Sequence, residues 1–240
     1  MATMEQLKTF FSGEAIGKVL DIGTGSGDFI RLIQPVFGEN TRITGIDPSD
    51  EALTEAHRLN TSPNIEFLKM EGEKLGFADG SFDVVCLSNA MHHLADPART
   101  FSEMKRVVKS GGYLLIAEIV SDKLNEAQEN QKMFHHFKSF VDQKFGITHR
   151  ETWTESEVID ILASNEIYPD LTFPYNRMQK PVTDREQLNG WIQKFENHLN
   201  QLKGFPEYNE KAQLFESFKE RLSVHGFQVA RQVVVVGEIM

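Results

Sequence analysis

Val19-Leu20-Asp21-Ile22-Gly23-Thr24-Gly25-Ser26-Gly27-Asp28-Phe29 is the stretch whose reading decides the fold. Apolar residues around an aspartate make a short buried strand, and three glycines at alternate positions make a turn that few other residues can follow. Glycine is required where the backbone takes φ above zero, or where a ligand approaches the main chain more closely than a Cβ allows. A helix is predicted to start at Asp28. Such a turn is predicted to leave unpaired N–H groups facing the strand end, suited to a nucleotide-like ligand across the helix N-terminus. Many strand-turn-helix units turn on glycines for packing alone, so a second signal is needed.

Residues 41–47 supply it, as a second short apolar run ending in Asp47, 20 residues after Gly27. At the tip of the neighbouring parallel strand, a carboxylate accepts both hydroxyls of a ribose. Two cofactor classes fit that pairing. The dinucleotide fingerprint G-x-G-x-x-G requires glycine at position 28, where this chain has Asp28, and a carboxylate sits badly against a pyrophosphate. A nucleotide-dependent oxidoreductase is thereby disfavoured. The pattern that stands is D-x-G-x-G-x-G. Residues 19–27 resemble the first motif of class I S-adenosylmethionine-dependent methyltransferases, and Gly45-Ile46-Asp47-Pro48-Ser49 resembles their second. The resemblance implies S-adenosylmethionine as cofactor and S-adenosylhomocysteine as product. It places Asp21 near the methionine amino group, and Gly23, Thr24, Gly25, Gly27, Asp47 and Pro48 around the cofactor.

The length of 240 residues suits one domain, or one domain with a sizeable insertion. A formal charge of −10 disfavours nucleic acid and anionic membranes as partners. The single cysteine, Cys86, rules out an internal disulfide, and its place in the middle of a strand reads as a small buried hydrophobe. No signal peptide and no membrane-length apolar run is read, so the expectation is a soluble, cytoplasmic protein.

Along the chain, residues 1–11 have roughly helical apolar spacing, as a cap over the cofactor cleft or a frayed end. Residues 28–37 read as a helix stopped by Pro35 and Gly38, residues 50–59 as a second helix, and residues 64–70 as a third strand. In the methyltransferase family the following loop opens with an aspartate bonded to the adenine amino group. Glu71 and Gly72 stand there instead, which implies an adenine contact from a longer side chain; the alternative for Glu71 and Glu73 is ordinary solvated loop charge. Residues 82–87 form the fourth strand and run into Ser88-Asn89-Ala90-Met91-His92-His93-Leu94-Ala95-Asp96-Pro97. By resemblance, Ser88 and Asn89 make backbone contacts to the cofactor, and the pattern is similar to small-molecule methyltransferases of quinone and natural-product synthesis.

Enzymes that methylate nucleic-acid bases carry N/D-P-P-Y/F/W or a Pro-Cys nucleophile at this strand end, and neither is present. His92/His93 and His135/His136 are adjacent pairs whose rings are predicted to diverge, so no metal site is expected. His93 is the candidate general base, an imidazole able to take a proton at pH 7 where the acceptor would lie, with His92 the poorer choice. The bland alternative is a polar cap on a strand end.

Residues 97–108 read as a helix, ended by Lys109-Ser110-Gly111-Gly112, and residues 113–119 as the fifth strand. The fold class follows as α/β, a doubly wound, mostly parallel sheet. By resemblance it is the Rossmann-like methyltransferase fold of seven strands, the last antiparallel. The expected organisation is one domain with a core at 15–120, a lid or acceptor region at 121–152 and a helical insertion at 181–226. Strands are predicted at 170–177 and 228–237, and a helix opening at Thr154 with Glu157 completing the cap. The two amphipathic helices between the last strands must bury their apolar faces against this domain or a second copy, which leaves a homodimer open. The activity expected is methyl transfer to a small-molecule acceptor. A catalytically silent S-adenosylmethionine-binding partner protein is the alternative.

Overall fold

Buried apolar strands need neighbours on both edges, and in the computed structural model, which describes residues 4–240, they find them in one sheet. Its strands are β1 (Lys18–Ile22), β2 (Arg42–Asp47), β3 (Ile65–Lys69), β4 (Phe82–Ser88), β5 (Val108–Ile119), β6 (Leu171–Tyr175) and β7 (Gln232–Ile239). Their order is β3-β2-β1-β4-β5-β7-β6. The pairs β1–β2, β2–β3, β1–β4 and β4–β5 are parallel, and β6–β7 is antiparallel. Strand order reverses between β1 and β4. In open α/β sheets the crevice outside the strand ends at that switch point is where ligands bind.

The helices are α1 (Glu5–Phe10), α2 (Asp28–Phe37), α3 (Asp50–Leu59), α4 (Pro97–Val107), α5 (Glu126–Lys144), α6 (Glu155–Ser164), α7 (Arg185–Gln201) and α8 (Tyr208–His225). The first three residues of the predicted 1–11 segment lie outside the described residues. Pro35 lies inside α2 and does not stop it, contrary to expectation. It forfeits one backbone bond in the last turn, and the helix ends at Gly38, where φ is 95° and the N–H donates to Gln34 O. β5 also departs from expectation, since it begins at Val108 and not after the Gly-Gly turn. Val108 pairs with Phe82 and Tyr113 with Val84, so the extra residues, including Gly111 at φ 75°, form a bulge. The outer strands are offset from their predicted bounds by up to four residues.

The chain forms two compact units. The first, residues 1–118, 156–175 and 232–240, contains the sheet. Its core includes Val19, Phe29, Ile30, Ile33, Ile43, Phe67, Val84, Cys86, Leu115, Val234 and Val236. Burial pushes the Cys86 thiol well up, in keeping with a packing role.

The second unit, residues 119–155 and 176–231, holds both the stretch expected as a lid and the helical insertion. α5, α7 and α8 pack around aromatic rings: Phe195 stacks on Phe137 at 3.9 Å and lies 5.1 and 4.8 Å from Phe215 and Phe218. Leu188, Phe195, Leu199, Phe215, Phe218 and Leu222 are therefore buried within a single copy of the chain. Phe134, Phe137 and Phe140 of α5 pack into this core, while Phe145, which caps the helix, is half exposed. Inside this unit Asn130 Nδ2 donates to Gly226 O at 2.8 Å, and His149 Nδ1 lies 2.6 Å from Asp142 Oδ2. Among the described residues, no helix is long and apolar enough to cross a membrane.

Candidate functional site

The glycine loop leaves β1 with φ of 65° at Gly23, 54° at Gly25 and 74° at Gly27, values at which an L side chain is strained. Three of its N–H groups are already used. Thr24 N–H donates to Ile46 O at 2.9 Å, Gly25 N–H to Asp47 Oδ2 at 2.9 Å, and Gly27 N–H to Thr24 O at 2.8 Å. The expectation of unpaired donors facing the ligand is thus overturned at these three positions, because the loop is stitched to the end of β2. At the start of α2, Asp28 faces Ser26 Oγ and Arg31, placing a carboxylate where a pyrophosphate would need positive potential.

Beneath the loop, Asp21 is 1% exposed. Its Oδ2 accepts the Thr24 hydroxyl at 2.7 Å, and its Oδ1 is buried without a hydrogen-bond partner among the described residues. Burial raises this carboxyl from 3.8 to about 7, with Thr24's hydrogen bond opposing and the Asp47 charge adding to the push. Asp47 is held rigidly at the tip of β2, because Oδ2 takes Gly25 N–H and Oδ1 takes Ser49 N–H at 2.9 Å. Each oxygen keeps a second lone pair for a hydroxyl. Pro48 is exposed between Asp47 and Ser49, the N-cap of α3. A Cβ on Gly25 would meet nothing within 4 Å, whereas one on Gly23 would lie 2.7 Å from Ala90 Cβ and one on Gly27 2.5 Å from Asn60 Nδ2. Of these three glycines, Gly25 alone borders open space.

The remaining expected residues lie at the same sheet edge. Met70 N–H donates to Asp47 O at 3.2 Å, and a Cβ on Gly72 would lie 3.0 Å from Ile22, so the exposed Glu71 crosses the ends of β2 and β1. This loop is gripped by α4. Arg106 donates to Leu75 O and Phe77 O at 3.0 and 2.8 Å, and Arg99 to Glu73 O at 2.9 Å. Ser88 ends β4 beside Ala117 of β5. Asn89 takes φ 49°, a conformation asparagine tolerates better than most residues, and its Oδ1 accepts Gln232 Nε2 at 2.8 Å.

Met91–His93 form a single 3-10 turn in which His93 is exposed and His92 is 3% exposed. The two rings are 4.3 Å apart and tilted by 47°, so they do not diverge as expected. A tight turn rotates successive side chains by about a third of a circle, not the half-circle of a strand. His92 Nδ1 lies 2.7 Å from Oε1 of Glu118, whose Oε2 accepts Met91 N–H at 3.1 Å. Glu118 is absent from the sequence reading. The visible signal was a carboxylate near the end of an otherwise apolar strand.

Comparison with known proteins addresses the same edge of the sheet. The sequence profile described as a methyltransferase domain matches residues 20–116, from β1 through most of β5. About two fifths of the chain is thus similar to a methyltransferase domain. The demethylmenaquinone methyltransferase of Chlorobaculum tepidum is 39% identical over 106 residues, 44% of this chain and 42% of that enzyme. The match thus spans about two fifths of that relative's length. A phosphatidylethanolamine N-methyltransferase from Cereibacter sphaeroides is 26% identical over 170 residues, 68% of this chain and 80% of that protein. A Bacillus halodurans structure classed with the methyltransferases superposes with a TM-score of 0.63 at 18% identity, covering 99% of each chain. The fold is the one expected, and the resemblance read from residues 19–27 and 45–49 is borne out.

Proposed function

We propose that this chain transfers the methyl group of S-adenosylmethionine to a small-molecule acceptor and releases S-adenosylhomocysteine. One observation carries the reading: the buried, unpartnered Oδ1 of Asp21 under a loop in which the N–H groups of Thr24, Gly25 and Gly27 are bonded within the protein. That edge of the sheet offers an anion to a cation and offers little to a phosphate. S-adenosylmethionine brings an ammonium, a ribose diol and an adenine, and no phosphate.

The residues fit it. Asp21 would hold the methionyl ammonium, the spare lone pairs of Asp47 the ribose hydroxyls, and Glu71 the adenine amino group. Gly23, Thr24, Gly25, Gly27 and Pro48 would shape the walls, with the backbone at Gly72, Ser88 and Asn89 closing the far side. When bound, the cofactor supplies an electrophilic methyl group on a positively charged sulfur. The chain's own work is alignment and water exclusion, because the leaving group departs neutral and needs no acid. The similar proteins bear names that differ in acceptor, a demethylmenaquinone in one and phosphatidylethanolamine in another. We favour a quinone- or natural-product-like small molecule.

Calorimetric titration with S-adenosylhomocysteine and with NADH tests the cofactor, and an acceptor screen reading S-adenosylhomocysteine release tests the reaction. Saturable binding of S-adenosylhomocysteine alone, with release on a quinol-type or related acceptor, is expected. Binding of NADH alone would overturn the reading. Cofactor binding without turnover on any acceptor would leave a silent partner protein.

A further inference from the structure

Resting on the methyl-transfer reading, we propose that Glu103 and Arg106 of α4 are positioning residues for the cofactor's base, holding the loop that carries Glu71 so that its carboxylate selects adenine. Parallel strands need a crossover, and residues 70–81 carry the chain from β3 to β4 without a helix or strand of their own. Their backbone groups must therefore find partners elsewhere. Near Glu71 the loop supplies itself little: Lys74 N–H reaches Glu71 O at 3.3 Å, and Gly76 N–H reaches the Met70 sulfur, a weak acceptor, at 3.3 Å.

The partners come from α4. Glu103 Oε2 accepts Leu75 N–H at 2.8 Å, while Arg106 donates to Leu75 O at 3.0 Å through Nη2 and to Phe77 O at 2.8 Å through Nη1. The two side chains also hold each other, Nε to Oε1 at 2.7 Å and Nη2 to Oε2 at 2.8 Å. Both polar backbone groups of Leu75 are thus tied to one bidentate ion pair, whose planar fork fixes direction as well as distance. The Arg106 guanidinium holds the Glu103 carboxyl down at about 2, so the pair stays ionised at neutral pH.

The hold extends toward the cofactor edge. Arg99 Nε donates to Glu73 O at 2.9 Å, and a Cβ on Gly72 would lie 3.0 Å from Ile22 and 3.2 Å from Thr100, so the backbone there is wedged between β1 and α4. Glu71 is the next residue, and it is exposed. A glutamate that meets a ligand has its own torsions to freeze, and a loose backbone beneath it would add to that cost. A clamp closed before the ligand arrives removes the backbone share. The contact discriminates because adenine offers an amino donor where hypoxanthine offers a carbonyl, which a carboxylate repels.

Calorimetry with S-adenosylhomocysteine and S-inosylhomocysteine, which differ at that position, reads base selectivity as a ratio of Kd values. Wild type should favour the adenosine compound by at least about tenfold. Arg106→Lys should bring the ratio within about threefold, because an ammonium cannot serve Leu75 O, Phe77 O and Glu103 with one fixed fork. Glu103→Ala, which removes the acceptor for Leu75 N–H, should do the same. Met104→Ala empties a fully buried place on the same helix, so it should lower the melting temperature by several degrees and keep the wild-type ratio. A wild-type ratio in Arg106→Lys or Glu103→Ala overturns the proposal, and so does an equal loss of selectivity in Met104→Ala. Equal binding of both compounds by wild type also overturns it, while leaving the methyl-transfer reading in place. A wild-type chain that binds neither compound overturns that reading itself.

Discussion

Asp21 couples cofactor binding to protons. Its carboxyl, ordinarily near 3.8, is pushed up to about 7, chiefly by burial. Between those values the folded chain holds a proton that the unfolded chain has released, so stability present at low pH is lost as pH rises through the window. The shift corresponds to a cost on the order of 4 kcal/mol above pH 7. Asp21→Asn removes the titration while leaving an oxygen for the Thr24 hydroxyl. Scanning calorimetry of the cofactor-free protein should show the variant melting several degrees above wild type at about pH 8, and level with it at about pH 4. Binding runs the other way, because a bound ammonium requires the carboxylate. Wild-type affinity for S-adenosylmethionine should rise from pH 6 to pH 8, and at pH 6 calorimetry in buffers of different ionisation enthalpy should detect close to one proton released. Asp21→Asn should bind roughly ten- to a hundred-fold more weakly at about pH 8. Equal pH slopes for the two proteins would remove Asp21 from the site.

At the scale of the element, the glycine loop separates space reserved for a ligand from space needed by the fold. Gly25→Ala meets no protein atom within 4 Å, so its structural cost is the roughly 1–2 kcal/mol of a left-handed residue. Gly23→Ala carries the same cost and also collides with Ala90. Thermal melts should therefore rank Gly23→Ala below Gly25→Ala, while Gly25→Ala still loses at least about tenfold in S-adenosylhomocysteine affinity. Normal binding by Gly25→Ala would make the loop purely structural. Elements of this kind were legible because their signals are local. α3 is legible in the sequence with the bounds it has in the fold, and Asp21 and Asp47 from their place around three glycines. What escaped depends on register. The N–H groups of Thr24 and Gly25 are satisfied by Ile46 and Asp47 only once β1 and β2 are paired. Glu118 meets His92 across 26 residues only because β5 lies beside β4. His149 and Asp142 face each other inside the helical unit from a segment with no motif at all.

For the molecule as a whole, the two units share one chain that passes between them at residues 118/119, 155/156, 175/176 and 231/232. Both tryptophans, Trp153 and Trp191, belong to the helical unit, and Trp191 stacks on Phe227 at 3.9 Å, so fluorescence reports that unit alone. Phe195 is fully buried at its centre. Phe195→Ala should cost about 3–5 kcal/mol there and move the fluorescence-detected urea midpoint down accordingly. An unchanged midpoint would contradict the packing described. The return of the chain to the sheet has a further consequence for biosynthesis. β7 lies between β5 and β6, so β6 leaves the ribosome before the strand it pairs with exists, and β5 presents a bare edge until then. At about 5–20 residues per second the nascent chain spends several seconds making α7 and α8 with its sheet split. The four buried valines of β7, Val233 to Val236, then close it, so a stall or nonsense codon shortly before Gln232 strips the sheet of two strands at once and yields a chain for the degradation machinery.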